Sequence, residues 1–218
     1  MKQVRWLLCV GMVAVLALSI VGCERKPAGK IDFGAVEGSV YTNRYFGLKI
    51  PIPQGWSVQD NEAKKALMES GKQMTAGKDA NLRASMEASE LNSVPLLMIF
   101  KYPVGSAVDF NPSFTSVAEK VSQMPGITRG SDYLFHVKKL LQQAQIKYSI
   151  ADAIRTEMIG GVSFDVLDAT LSVGNTVVNQ KYYATIMKGY ALSLIVTYSS
   201  TDDQKELTSL FSSIAFAR

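Results

Sequence analysis

Apolar and polar residues alternate most regularly in the last third of the chain, in four successive runs. The runs cover residues 153–159, 162–173, 176–187 and 190–199. They are separated by Gly160-Gly161, Gly174-Asn175 and Lys188-Gly189. Glycine supplies the positive φ that tight hairpin turns need, so the pattern predicts an antiparallel meander of four strands.

The apolar positions of this meander change phase within the second run. Val162, Phe164 and Val166 share one face, whereas Leu167 and Ala169 lie on the other. A change of phase indicates either a bulge or a sheet that is covered on both sides. We therefore predict an α+β fold, an antiparallel sheet with helices on both faces.

Helical spacing of apolar residues predicts three further elements. Ser131 opens one helix, whose apolar face is Leu134, Val137, Leu141 and Ala144. Thr201 and Gln204 have the spacing of a capping box before the final helix. Asn111-Pro112 resembles an N-cap followed by proline, and predicts a helix over residues 114–124.

The first half of the chain is less regular. Residues 46–52 and 56–58 predict short strands, and 94–102 predicts a buried strand. Residues 60–92 predict irregular surface helices, capped by Asp60 and interrupted by Gly71 and Gly77.

The N-terminal segment has the order of a bacterial export signal. Lys2 and Arg5 precede the apolar run 6–20, which is short for a membrane-spanning helix. The run ends in Ile20-Val21-Gly22-Cys23, which resembles a lipobox. That resemblance implies cleavage of signal peptide 1–22 and acylation of Cys23 by diacylglycerol and a fatty acid such as palmitate. An ordinary secretory signal and an uncleaved anchor are the alternatives.

Residues 23–40 are predicted to form a lipidated cysteine and flexible tether, and residues 41–218 are predicted to form a single domain.

The composition excludes several classes of function. Cleavage would leave 21 basic and 19 acidic residues without a basic cluster, so we expect no binding to nucleic acid. Two cysteines and one histidine exclude a disulfide scaffold and a His/Cys metal cage. We expect no cofactor and no metal.

Several short segments are similar to the PsbP-like superfamily, which includes many bacterial lipoproteins. They include Tyr41, Asn43, residues 45–51 and 53–56, Gly161 with Phe164-Asp165, and residues 211–216. The resemblance extends over about residues 41–217. It implies an α/β/α sandwich, and accessory or binding roles more than catalysis.

Aromatic and methionine side chains are the candidates for recognition. One set lies in or beside predicted strand ends and forms either a recognition surface or core packing: Tyr41, Tyr45, Trp56 and Tyr102. A second set lies within residues 60–92 and indicates that this segment is either a binding flap or ordinary packing. Its members are Met68, Met74 and Met86.

Residues suited to catalysis are few. Asp165 and Asp168 have the spacing of a possible carboxylate pair, with structural roles as the alternative. His136, the single histidine, is interpreted as a surface or boundary residue. Residues 71–78 depart from a phosphate-binding loop, because five residues separate the glycines and Asp79 follows Lys78.

We therefore predict a non-catalytic envelope lipoprotein, anchored through acylated Cys23, that binds another envelope protein. A lipid-anchored small-molecule carrier or sensor with a pocket between sheet and helices is the alternative, and a carboxylate hydrolase is a third class. The domain is expected outside the cytoplasm. Glu24 after Cys23 favours the outer membrane if the organism is Gram-negative.

Overall fold

The computed structural model describes residues 31–217 of the chain, which form an α+β fold with two antiparallel sheets. The predicted signal peptide, lipobox and Cys23 lie outside the described residues. Within residues 31–217, no helix is both long enough and apolar enough to span a membrane.

The larger sheet has eight strands. In chain order they are β4 (Ser57–Val58), β5 (Ser93–Phe100), β6 (Ser113–Lys120), β7 (Tyr148–Ile150), β8 (Arg155–Ile159), β9 (Val162–Val173), β10 (Thr176–Met187) and β11 (Tyr190–Tyr198). Their spatial order is β4-β5-β6-β11-β10-β9-β7, and β8 also pairs with β9. The predicted meander is β8 to β11, so this part of the prediction is confirmed.

The smaller sheet has four strands that the sequence did not group together. They are β1 (Ala35–Glu37), β2 (Val40–Asn43), β3 (Leu48–Pro51) and β12 (Ala215–Phe216). The fold therefore includes residues 35–40, which were predicted to belong to the tether. The Asn43 side-chain amide donates to the Asp32 backbone carbonyl at 2.9 Å, which fixes the approach to this sheet.

Within residues 31–217, four helices cover the larger sheet on both faces, as predicted. They are α1 (Asn61–Ala76), α2 (Ala80–Leu91), α3 (Gly130–Gln143) and α4 (Thr201–Ser212). Helix α4 and the smaller sheet pack on the face that carries Phe164 and Tyr183, which we call the packed face. The opposite face, which carries Leu167 and Tyr182, lies under α3, and we call it the cleft face.

The phase change in β9 comes from this double coverage and not from a bulge. Val166 pairs with Tyr183 on the packed face, and Leu167 pairs with Tyr182 on the cleft face, without a shift of register. The bulge lies instead in β5, between Pro95 and Leu97.

The predicted helix over residues 114–124 is wrong, because residues 114–120 belong to the interior strand β6 and residues 121–124 form a turn region. The strand pairs with both β5 and β11, and Phe114, Ser116 and Ala118 are buried at alternate positions. Asn111 does not cap a helix. Its side-chain amide donates to the Tyr102 carbonyl at 2.8 Å and its carbonyl accepts from the Tyr102 N–H at 3.0 Å, which closes the β5–β6 loop.

The N-cap of α4 is Ser200, one residue before the predicted Thr201. The backbone of Ser200 is extended, and its hydroxyl accepts a hydrogen bond from the Asp203 N–H at 3.2 Å. The helix itself is present as predicted, and its Leu207 and Leu210 side chains are buried.

An ion cluster fixes α4 on the packed face. Lys101 Nζ lies 2.9 Å from both Asp203 Oδ1 and Glu206 Oε2, and the Trp56 indole N–H donates to Glu206 Oε1 at 2.7 Å. Burial disfavours the charged Asp203 carboxylate, but hydrogen bonds from Ser200 and Lys101 outweigh it. The pKa of Asp203 therefore lies below its ordinary value.

Residues 60–92 form two regular helices and not the irregular ones predicted. Asp60 caps α1 as expected, since its carboxylate accepts from the Ala63 N–H at 2.8 Å. Gly71 lies inside α1, and Gly77 ends it with a φ of 51°. Helical structure over residues 71–76 does not fit a phosphate-binding loop.

The two glycines of this region are predicted to respond oppositely to alanine. Gly71→Ala should raise the free energy of unfolding by roughly 0.5–1 kcal/mol, because the site is helical and has open space beside it. Gly77→Ala should lower it by about 1 kcal/mol, because its positive φ strains an alanine. Urea denaturation of both variants measures this, and a destabilised Gly71→Ala protein would contradict it.

We predict that Lys101→Met lowers the free energy of unfolding by about 1–2 kcal/mol at pH 7, because two partly buried carboxylates lose their cation. The loss should shrink as the pH falls below the folded-state pKa of Asp203, where protonation removes the attraction in both proteins. Urea denaturation at pH 7 and in acid measures the difference.

Lys205→Met is the matched control, since Lys205 pairs with Asp202 on the exposed side of the same helix. It should change the free energy of unfolding much less. Equal losses in the two variants would contradict a special role for the Lys101 cluster.

Candidate functional site

The two faces of the larger sheet are packed to different degrees. The packed face belongs to the main hydrophobic core, which includes Phe114, Leu194 and Leu210. On the cleft face, the cluster of buried residues consists of Leu134, Leu167 and Ala184. A cavity of about 470 Å³ lies on this face between α1, α3 and the sheet, and we call it the helical cleft.

The lining of the helical cleft is mainly apolar. The sheet contributes Leu171, Val178 and Ile195, α3 contributes Leu141, and Met74 comes from α1. The lining set contains no Asp, Glu, His or Lys. The cleft is therefore suited to an apolar body and offers no acid–base pair of its own.

Polar groups of the cleft come from Tyr148, Gln180 and Tyr182, and from the two threonines Thr75 and Thr197. The Tyr182 hydroxyl donates to Gln180 Oε1 at 2.6 Å. Burial raises the pKa of Tyr148 and of Tyr182, so both phenols stay neutral at ordinary pH. The arrangement can orient an apolar ligand through one or two hydrogen bonds.

Helix α3 is held against the sheet at its N-terminus. Asp165 Oδ2 accepts from the Ser131 N–H at 2.6 Å, and Asp165 Oδ1 accepts from the Thr156 hydroxyl at 3.0 Å. A Cβ on Gly130 would lie 2.1 Å from the Ala184 carbonyl oxygen, so only glycine allows this close approach. The α3 wall of the cleft is consequently rigid at this end.

The α1–α2 hairpin covers the cleft with few buried apolar side chains. Its buried residues are Lys64, Lys72, Ala76 and Leu82. Within the hairpin, Lys72 Nζ lies 2.7 Å from Glu69 Oε2 and 2.8 Å from Glu90 Oε2. Charge pairs thus hold the hairpin together, while hydrophobic contact with the sheet is small.

Polar contacts attach this hairpin near its ends. Lys64 Nζ donates to the carbonyls of Pro95 and Leu96 at the β5 bulge, at 3.4 and 3.3 Å. Burial lowers the pKa of Lys64. At the α1 C-terminus, the Gln145 N–H donates to the Thr75 carbonyl at 2.9 Å. Between these attachments, α1 lines the cleft with Gly71, Met74 and Thr75.

All three methionines of residues 60–92 face cavities. Met74 lines the helical cleft and is 60% exposed. Met68 and Met86 line a neighbouring cavity of about 280 Å³, which shares Gly71 and Leu140 with the helical cleft. Methionine adapts to irregular apolar shapes, so the placement is compatible with the binding flap, which stays a prediction.

The four predicted recognition residues do not form one surface. Tyr41 is 2% exposed and donates its hydroxyl to the Phe33 carbonyl at 2.8 Å, and Trp56 is 7% exposed. Both belong to the main core, which corresponds to the core-packing alternative for these two residues. Tyr45 is half-buried against Tyr190 and Phe46, and Tyr102 remains exposed in the β5–β6 loop.

Asp165 and Asp168 do not form a carboxylate pair. Their side chains lie on opposite faces of β9, because the residues are three positions apart in a regular strand. Asp165 caps α3, whereas Asp168 accepts from Arg155 Nε at 3.0 Å and from the guanidinium Nη2 at 3.1 Å. Within residues 31–217, His, Asp and Glu side chains do not gather in a metal-binding group of three.

The sequence did not identify the residues of the cleft. Tyr148, Gln180 and Tyr182 come from two strands, and only their pairing through β9 brings them to one face. For Tyr182 the sequence did contain a signal. Helices on both faces of the sheet were predicted, so the side chains of β10 on either face were expected to be buried.

No protein-family model matches the chain, and no curated protein matches it. Among solved structures, the chain is similar to cyanobacterial PsbP (CyanoP) from Synechocystis, with a TM-score of 0.48 and 13% identity over 84% of this chain and 96% of that chain.

Two further solved structures are similar at comparable identity. LpqN, involved in cell envelope biogenesis of Mycobacterium tuberculosis, has a TM-score of 0.40 and 13% identity over 78% of this chain and 83% of that one. PA94 of Pseudomonas aeruginosa, a protein of unknown function, has a TM-score of 0.39 and 12% identity over 56% and 81%. At this identity the similarities concern the fold alone.

Proposed function

We propose that the chain is a lipid-anchored, non-catalytic binding protein of the cell envelope, whose helical cleft holds a small apolar molecule. The observation that carries this proposal is the cleft itself, a mainly apolar space of about 470 Å³ with a few polar side chains in its lining. Ligand sites typically combine such an apolar lining with a few placed hydrogen-bonding groups. Carrier and sensor are the roles that fit.

The α1 wall of the cleft supports the same proposal. The cleft is open to solvent beside Met74, which is 60% exposed, so a ligand can enter it there. The α1–α2 hairpin buries few apolar side chains of its own, so its adjustment to a ligand breaks few hydrophobic contacts. Its methionines adapt to ligands of different shape.

The anchor rests on the sequence. The charged start, the short apolar run and Ile20–Cys23 have the order of a lipoprotein signal. Acylation of Cys23 would attach the domain to membrane lipid outside the cytoplasm, because two or more acyl chains give stable anchoring.

A protein-binding accessory role is the second candidate. The β5–β6 loop exposes Tyr102, Val104 and Val108, three large apolar side chains within seven residues. Exposed apolar groups close together favour contact with another protein, here a second component of the envelope.

The anchor predicts that cells supplied with an alkyne analogue of palmitate label the protein at Cys23. Cys23→Ala should abolish the label, because the acceptor thiol and the cleavage site are both lost. Cys9→Ala is the matched control and should keep the label, since Cys9 lies in the removed peptide. Labelling of the Cys23→Ala protein would contradict the lipobox.

The cleft predicts a small apolar molecule that co-purifies with the full chain and is released on denaturation. Gly71→Leu should lower its amount at least tenfold, because Gly71 lies on the rim of the cleft with open space beside it. Native mass spectrometry and analysis of an organic extract measure it.

Ala66→Leu is the control, since Ala66 is an exposed position on the same helix. Equal amounts of ligand in the two variants would contradict the cleft as the site. Recovery of one envelope protein in near-equal amount after in-cell crosslinking, with no small molecule, would favour the second candidate instead.

A further inference from the structure

A second cavity on the cleft face contains a buried carboxylate. It has a volume of about 530 Å³ and lies between α2, α3 and the loop 121–129, and we call it the Glu119 chamber. Its walls include Met124, Ile127 and Leu140, with Tyr133 and His136 from α3. It adjoins the helical cleft at Val137 and Leu140, and has its own polar group.

Glu119 is only 6% exposed, on strand β6. Its Oε1 accepts from the Ser89 hydroxyl of α2 at 2.7 Å, and its Oε2 accepts from the Tyr133 hydroxyl of α3 at 2.8 Å. Both donors are neutral. Each oxygen keeps a further lone pair beyond the bond it accepts.

The charge of this carboxylate has no counter-ion within the protein as described. Among residues 31–217, no lysine, arginine or histidine nitrogen lies within 4.0 Å of Glu119. A buried carboxylate without a cation is costly, and native proteins normally pair such groups. The buried lysines Lys64 and Lys72 are engaged elsewhere.

Tyr133 contributes in two ways. Burial and the adjacent negative charge of Glu119 raise the pKa of Tyr133, so its hydroxyl remains a donor. Tyr133 also lines the chamber, and a cation gains free energy beside the face of a tyrosine ring. The carboxylate, the tyrosine and the apolar wall together suit a ligand that has both a positive charge and an apolar body.

We propose that the Glu119 chamber binds a small organic cation with an apolar body, such as an alkylammonium compound. The ammonium group approaches the free lone pairs of Glu119, and the body packs on Met124, Ile127 and Leu140. One carboxylate without further acidic ligands suits an ammonium ion better than a divalent metal. The site is independent of the ligand in the helical cleft.

Isothermal titration of the full chain in a non-ionic detergent tests this with choline, tetramethylammonium and butylammonium. The neutral choline isostere 3,3-dimethylbutan-1-ol is the matched probe, because it has the same shape without the charge. We expect at least one cation to bind, and the neutral isostere to bind at least tenfold more weakly than choline if choline is that cation.

Two variants test whether the cation binds in the Glu119 chamber. Glu119→Gln should weaken cation binding at least tenfold, whereas Glu37→Gln, on exposed strand β1, should leave it unchanged. Ser85→Trp keeps the Glu119 charge but fills the chamber from an exposed position on α2, so it should abolish binding. If Glu119→Gln does not fold, Ser85→Trp decides.

Several results would overturn the proposal. They are the absence of binding by all three cations, equal affinity for choline and its neutral isostere, full affinity in the Ser85→Trp protein, and binding of Ca²⁺ or Mg²⁺ in place of the ammonium probes.

Discussion

Both faces of the eight-stranded sheet carry apolar side chains, and the fold depends on covering them at the same time. The packed face is covered by α4 and the smaller sheet, which share one continuous core with it. The cleft face is covered by α3 and by a hairpin whose buried positions include two lysines. This unequal coverage leaves the two cavities of the candidate sites on the cleft face and the main hydrophobic core on the other face, so sites and core are separated by the thickness of one sheet.

The sequence predicted correctly those strands and helices whose formation depends on residues within the segment itself. Glycine turns define the meander β8 to β11, and the apolar stripe from Leu134 to Leu141 defines α3. Strand β6 was mistaken for a helix, because Asn111-Pro112 resembles a cap and Phe114, Val117 and Val121 have helical spacing. Hydrogen bonding to β5 and β11 overrides that local preference, and such long-range pairing leaves no signal within the segment itself.

The candidate sites were less predictable than the fold, because they are assembled from distant parts of the chain. The sequence singled out Met68, Met74 and Met86, and the structure places all three at cavities. The sequence offered no reason to select Glu119, because a carboxylate in the helix predicted over residues 114–124 would be solvated. Only as the penultimate residue of a central strand does it point at two helices and become buried. For Tyr41 and Trp56 the sequence left recognition and core packing open, because both roles favour aromatic residues, and the structure places the two side chains in the main core.

The α1–α2 hairpin connects β4 to β5, which are neighbouring antiparallel strands. A short loop is enough to connect two such strands, so the sheet does not need the α1–α2 hairpin for its topology. The length and composition of the hairpin can therefore change without a change in the order of the strands. The walls that α1 and α2 give to the cavities are thus separable from the sheet that carries the rest of the fold.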